Sequence, residues 1–243
     1  MTKTQNLFFS CVESRIQDQG SMYARFHLGT FFRGQALTFG NALRRTLLSE
    51  IPGVIITDVM IDGAGHEFAT LPGVEETVLD ILLNLKKLVF VPSQSQVNNL
   101  ETFNAFGLVK SRGPGRLTAG DIKLPLTVKC VNPNAHIATL TSGEDFSLRL
   151  NLKIGSPHQP SNPQKTFLLE NQTRKLAFSQ VPTPIQKVNY VIKSLNGKKG
   201  SEYLVLEVWT DGSVIPQEAV QFALKNLTSL FYQFSRGEQK VTK

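Results

Sequence analysis

His66 and Glu67 stand side by side in "DGAGHEF", four residues after Asp62. An imidazole beside two carboxylates is raw material for acid–base or metal chemistry. A zinc-protease helix needs a second histidine one turn after the His-Glu pair, and the next histidine is His136. A glycine-flanked turn with a satisfied polar cluster is the reading of this segment. His27, His136 and His158 are scattered. "GPGRLTAGD" (113–121) has two close glycines without the G-x-G-x-x-G spacing, and in "NGKKGS" (196–201) the glycines are too close for a phosphate loop. There is no G-x-S-x-G, no D-x-D to hold magnesium, and no C-x-x-C. Cys11 and Cys130 are far apart and read as two buried thiols in a reducing compartment. No catalytic, cofactor-binding or metal-binding residue is assigned, and no cofactor is expected.

Chemistry being absent, the elements carry the weight. The 243 residues are 41% hydrophobic and 19% charged, which suits one large domain or two small ones with a packed core. No apolar run reaches the length of a membrane span, and the N-terminus has neither a signal h-region nor an arginine-rich transit pattern. No membrane partner is expected. The net charge of +7 divides as +3 for residues 1–50, +1 for 51–178 and +3 for 179–243, so there is no polybasic tail. Residence near nucleic acid is allowed by that charge and not required by it.

Residues 5–13 and 21–29 read as two strands around the turn "IQDQG", with Ala24, Phe26 and Leu28 alternating against Tyr23, Arg25 and His27. A helix follows, with Thr38 as N-cap and Pro52-Gly53 as its stop. The far end repeats the plan: strands "KVNYVIKSL" and "EYLVLEVW", then a helix over 216–235 with Pro216 at its start. Between them lies a segment of different character, 51–178. It holds a strand "VIITDVMID", a helix "GVEETVLDILLNLKKL" and strand candidates at 101–106, 136–141 and 146–154. A Pro-rich loop occupies 155–165. The expected fold is α+β: an antiparallel sheet with two amphipathic helices built from both chain ends (1–50 and 179–243), and an inserted α+β domain (51–178).

"GQALTFGNALRRTLLSEIPG" (34–53) is mostly apolar yet carries two central arginines. On a helical wheel Phe39, Ala42, Leu43, Thr46, Leu47 and Ile51 form a broad buried arc, while Asn41, Arg44, Arg45 and Leu48 fall together elsewhere. A solvated face with one stray leucine satisfies this pattern, and so does a protein-docking face, where guanidiniums pack flat and hydrogen-bond in a fork. In the last helix Ala219, Val220, Ala223, Leu224, Leu227, Leu230, Phe231 and Phe234 share one arc. Two such helices on one small sheet leave a surplus of apolar face, which a symmetric dimer would use.

"GQALTFGNALRRTLLSEIPG", "HEFATLPGVEETVLDILLNLKKL", "GPGRLTAGDI" and "TDGSVIPQEAVQFALKNL" occur in this order and span nearly the whole chain. Together they resemble the alpha subunits of bacterial-type DNA-directed RNA polymerase. "CVESRI…MYARFHLGTFFRGQALT" looks most like the plastid branch, and the missing transit pattern fits a plastid-encoded chain working in the chloroplast stroma.

The resemblance implies a homodimer whose first and last helices cross between subunits. Phe39, Leu43, Leu47, Leu224, Leu227 and Phe231 are then the expected interface. It implies a scaffold on which the large β and β′ subunits assemble, a subunit with no active site of its own, and contact with promoter DNA only through the complex. It places Arg45 and Leu48, with Arg44 beside them, where the family docks β, and Lys86 in a second large-subunit contact region. Family members usually continue through a linker into a DNA-binding C-terminal domain. This sequence stops at Lys243, so that domain is either absent or missing from a fragment. The alternative from another class is a basic nucleic-acid-binding protein outside a polymerase. That would need a concentrated basic-aromatic surface, and the charge count shows none.

Overall fold

The structure is a computed structural model. It describes residues 8–17, 20–92, 103–156, 175–178, 180–195 and 201–236. His158, the Pro-rich stretch from residue 157 and most of "NGKKGS" lie outside the described residues. The chain divides into two units, Met1–Ile51 with Thr183–Lys243, and Pro52–Pro182.

The first unit is a four-stranded antiparallel sheet with two helices. Strands β1 (Phe8–Ile16) and β2 (Met22–Phe32) come from the front of the chain, β11 (Ile185–Ser194) and β12 (Ser201–Thr210) from the back. The order is β1-β2-β12-β11, so the two ends meet at the central β2–β12 pair. Alternation along β2 holds: Ala24, Phe26 and Leu28 are buried beneath helix α1 (Gln35–Glu50) and helix α3 (Pro216–Ser235) together with Leu204, Leu206 and Val208. The other face of the sheet is polar and aromatic. Arg25 bridges Glu13 at 3.2 Å and Glu207 at 3.1 Å, and Tyr23 donates to Glu207 at 2.9 Å. Burial first, and then the Glu207 carboxylate, raise the Tyr23 pKa.

Helix α1 begins earlier than Thr38. Gly34 turns the chain at φ 87°, a left-handed conformation that costs glycine little, and the Gln35 side chain accepts from the Phe32 backbone N–H at 3.1 Å. Thr38 is an exposed residue of the first turn. Gly40 lets α1 approach the sheet: a Cβ there would lie 3.1 Å from Leu204 and from the Tyr190 ring. Helix α3 spans the residues expected, with Pro216 at its start and Glu218 in its first turn.

The second unit is built on the sheet β10-β3-β9-β5. Its strands are β3 (Gly53–Ile61), β5 (Asn104–Arg112), β9 (Asp145–Gly155) and β10 (Lys175–Ala177). Two short ribbons accompany it: β4 (Phe90–Pro92) with β7 (Val128–Cys130), and β6 (Gly115–Thr118) with β8 (His136–Leu140). Helix α2 (Val78–Lys86) buries Val78, Ile81, Leu82 and Leu85 in a core shared with Ile137, Leu148, Leu150 and Leu152.

"GVEET" is not helical. Thr77 caps α2 by accepting from the Asp80 N–H at 3.2 Å while Asp80 accepts from the Thr77 N–H, a reciprocal box that starts the helix there. Glu76 is used elsewhere. Its carboxylate accepts from the Thr139 N–H at 2.7 Å and the Thr139 hydroxyl at 3.0 Å, and pairs with His136 Nε2 at 2.7 Å. Arg116 Nε donates to His136 Nδ1 at 3.1 Å, so His136 presents N–H to Glu76.

Burial pushes the Glu76 carboxyl up, but the Thr139 amide and His136 outweigh it and hold it below its ordinary range. A depressed carboxylate stabilises the fold above the unfolded value of about 4.3 and loses that contribution as pH falls through the lower folded value. Glu76→Gln should therefore lower the melting temperature at neutral pH and flatten the acid limb of the stability curve. Thermal scans of both proteins across the acid range check this. Parallel limbs would show that Glu76 is not the group responsible.

Candidate interaction surfaces on the helices

The face of α1 that the wheel separated from the buried arc is solvent-exposed. Asn41, Arg44, Arg45 and Leu48 are all exposed, and Leu48 retains 44% of its surface. Among the described residues neither arginine has an ion-pair partner, so both guanidiniums are free to engage a carboxylate or a flat surface. Asn41 is the fixed member, accepting from the Tyr190 hydroxyl at 2.5 Å. The structure adds Leu37, half exposed and on the same stripe. Starting the helix at Thr38 hid it. Starting at Gly34, the one residue able to turn the chain there, would have brought it into the wheel.

The helix residues expected at a dimer interface separate into three environments. Leu43 and Leu47 are fully buried in the chain's own core against the sheet, so they hold α1 down and are not available to another chain. This corrects the expectation for both: the wheel finds a helix's apolar side without telling whose core that side enters. Phe39, Leu224 and Leu227 are half-buried at the margin of the same core, Phe39 with its ring 5.1 Å from that of Phe31. Phe231 is exposed.

Helix α3 changes character along its length. Ala219, Val220 and Ala223 are sealed into the core, yet every residue from Thr228 to Arg236 is exposed. That exposed half carries Leu230 at 46%, Phe231 at 62%, Tyr232 at 56% and Phe234 at 78% of their full surface. An apolar patch of this density is rare on a monomer and marks an interaction site. Where α1 ends beside it, Asn226 donates to Glu50 at 3.2 Å, and Glu50, Leu227, Leu230 and Gln233 line an open groove.

In the second unit, Lys86 is exposed at the end of α2, its ammonium 5.6 Å from the centre of the Phe178 ring. The backbone carbonyl of Lys86 accepts from Gln180 at 3.4 Å.

The residues that could do chemistry do not assemble. Asp62, His66 and Glu67 are exposed on a turn, and among the described residues no group of three or more His, Cys, Asp or Glu is arranged to hold a metal. Asp121 in the glycine-rich stretch accepts from the Thr118 N–H at 2.8 Å and closes a turn. Cys130 is partly buried, and burial raises its pKa. Cys11 is exposed on the edge strand, which corrects the reading of two buried thiols: every residue of β1 except Glu13 is exposed, so the core's cover does not reach this strand.

A sequence profile of the RNA polymerase Rpb3/Rpb11 dimerisation domain matches residues 30–231, which takes in all of α1, the whole second unit and most of α3. The DNA-directed RNA polymerase subunit alpha of Chlorella vulgaris is 55% identical, over 99% of each chain. The chain belongs to the family of DNA-directed RNA polymerase alpha subunits. Subunits of the same name from Cyanidium caldarium and from Synechococcus sp. strain JA-2-3B'a(2-13) are each 40% identical. The matches cover 94% and 91% of this chain, and 71% and 64% of theirs. The matched region thus includes α3 as far as the exposed Phe231, in a domain whose family description is dimerisation, and the chain is a subunit of a nucleotide-polymerising complex.

Proposed function

We propose that this alpha-family chain is a non-catalytic homodimeric scaffold that gathers the β and β′ subunits of a plastid RNA polymerase. The observation that carries the proposal is the half of α3 left uncovered by its own sheet, with Leu230, Phe231 and Phe234 exposed. A second copy presenting the same helix supplies a matching surface by symmetry. The exposed row of Arg44, Arg45 and Leu48 on α1, with Leu37 beside it, is the proposed dock for β. Arginine is enriched at interface centres and leucine is not, so Arg45 is the expected anchor and Leu48 its apolar neighbour. Lys86 is the proposed second contact with a large subunit.

The non-catalytic role is supported by what the polar clusters do: Glu76–His136 and Thr118–Asp121 fasten loops. Contact with promoter DNA is assigned to the assembled enzyme. A plastid origin is supported by the relatives in Chlorella and Cyanidium, and a stromal, plastid-encoded chain is the reading proposed with it. Membership of this family leaves no ground for a free-standing basic protein outside a polymerase.

Assembly tests the proposal. The purified chain should sediment as a dimer and retain co-expressed β and β′. A monomer, or a dimer that retains neither large subunit, would overturn it.

A further inference from the structure

The sheet of the second unit has two unlike faces. Ala105, Val109, Leu148, Leu150 and Leu152 point into the core. The opposite face carries Phe106, which keeps 64% of its surface in mid-strand. Around it stand Arg149 and Lys153 on β9 and Lys110 on β5, all exposed. Lys123 joins the same face through an antiparallel bridge to Leu108.

Among the described residues none of these four cations is in an ion pair. Two acids share this face, and among the described residues neither is ion-paired with these four cations. Asp58 accepts from Asn151 and Thr57, each at 3.2 Å, and Asp145 lies 3.9 Å from Arg112 at the far end of the strands. A solvated sheet face is ordinarily polar throughout. This one has an exposed aromatic ring among unneutralised cations.

The register makes the arrangement specific. Phe106 is opposite Asn151, and Arg149 and Lys153 are one pleat away on either side. Alternate residues of a strand are about 7 Å apart. That step is comparable to the phosphate repeat of an extended single strand of nucleic acid. Arg149 and Lys153 are thus about 13 Å apart, two such repeats, and a strand whose base stacks on Phe106 midway between them would bring phosphates to both cations.

The other acidic occupant of such a face, a protein segment adding as a strand, would need the free edge of β5. That edge is taken where Leu108 and Lys123 exchange backbone hydrogen bonds of 3.1 and 2.8 Å. We propose that this face of the second unit binds single-stranded nucleic acid without sequence preference, by stacking on Phe106 and by phosphate contacts to Arg149, Lys153 and Lys110. The binding stands apart from the assembly role and does not depend on it.

The test is fluorescence anisotropy of the full chain with labelled oligo-dT and oligo-U, in parallel with labelled polyglutamate. Both oligonucleotides should bind. With three phosphates engaged at about 0.7 each, log K should fall against log salt with a slope of about −2. Phe106→Ala, at an exposed position, should keep the melting temperature and weaken binding about tenfold, while Phe106→Trp restores it. If only one oligonucleotide bound, the shared stacking and phosphate chemistry would be overturned. Absence of oligonucleotide binding at low salt, or equal binding by Phe106→Ala, would also overturn the proposal. So would tighter binding of polyglutamate than of either oligonucleotide, which would make the face a dock for an acidic protein segment.

Discussion

Phe231→Asp is expected to convert the dimer into a folded monomer. Phe231 keeps 62% of its surface and is not among the residues of the first unit's core, so removing its ring opens no cavity there. In the proposed dimer the same position would face apolar side chains of the second copy. A carboxylate placed there must either be desolvated without a partner or hold the helices apart. Losing an aromatic anchor near the centre of an interface costs about 2 kcal/mol or more, so the dissociation constant should rise by at least about thirtyfold. The buried charge adds to this. Sedimentation velocity should show the monomer while circular dichroism and the melting curve of the first unit stay recognisable. Leu227→Asp is the less discriminating change, because Leu227 also packs on the chain's own core, where a carboxylate would damage the fold directly. A Phe231→Asp protein that remains a dimer would move the interface off α3.

Arg45→Ala is expected to separate dimerisation from capture of β. The guanidinium is exposed and has no ion-pair partner among the described residues. The backbone carbonyl of Arg45 accepts from the Ser49 hydroxyl at 2.8 Å. Truncating such a side chain shifts stability by about 0.5 kcal/mol at most. At the centre of a docking surface the same truncation costs about 2 kcal/mol or more, well over tenfold in affinity. The variant should match the parent in melting temperature and in dimer mass, yet assembly should stall at the alpha dimer when β is supplied. Arg45→Lys tests the geometry as well as the charge, since an ammonium cannot reproduce the planar fork and should recover only part of the binding. Normal capture of β by Arg45→Ala would place the dock on another surface. Unfolding would show that Arg45 is structural.

The local patterns in the sequence were sufficient for the α+β class and the antiparallel sheet drawn from both ends. Alternation in "YARFHL", the Pro216 start and the bare runs of "YLVLEV" are each set by interactions within a few residues. The exposed row of Asn41, Arg44, Arg45 and Leu48 was legible for the same reason: helical phase alone puts these side chains on one stripe. Helix starts were less so. Thr38 has the chemistry of a cap, but a glycine able to reach φ 87° and a glutamine folding back on Phe32 won by beginning the helix sooner. "GVEET" has the acids of a first turn, but Glu76 is drawn away by Thr139 and His136, which are sixty residues or more distant along the chain.

Which apolar residues belong to the chain's own core, and which wait for another molecule, was decided only by the tertiary structure. Leu43 and Leu47 share the apolar character of Phe231, yet they are sealed against the sheet while Phe231 is in water. The difference is one of length: α3 continues about 12 Å past Leu227, beyond where the core gives it cover. The cationic face around Phe106 was hidden for a related reason. Its charges come from residues 110, 123, 149 and 153, and only strand register gathers them, so an even charge count along the chain concealed a local concentration in space. Sequence determines which side of each element is apolar and which residues share a stripe. How far an element outruns its neighbours, and which distant charges become neighbours, depends on where the chain returns.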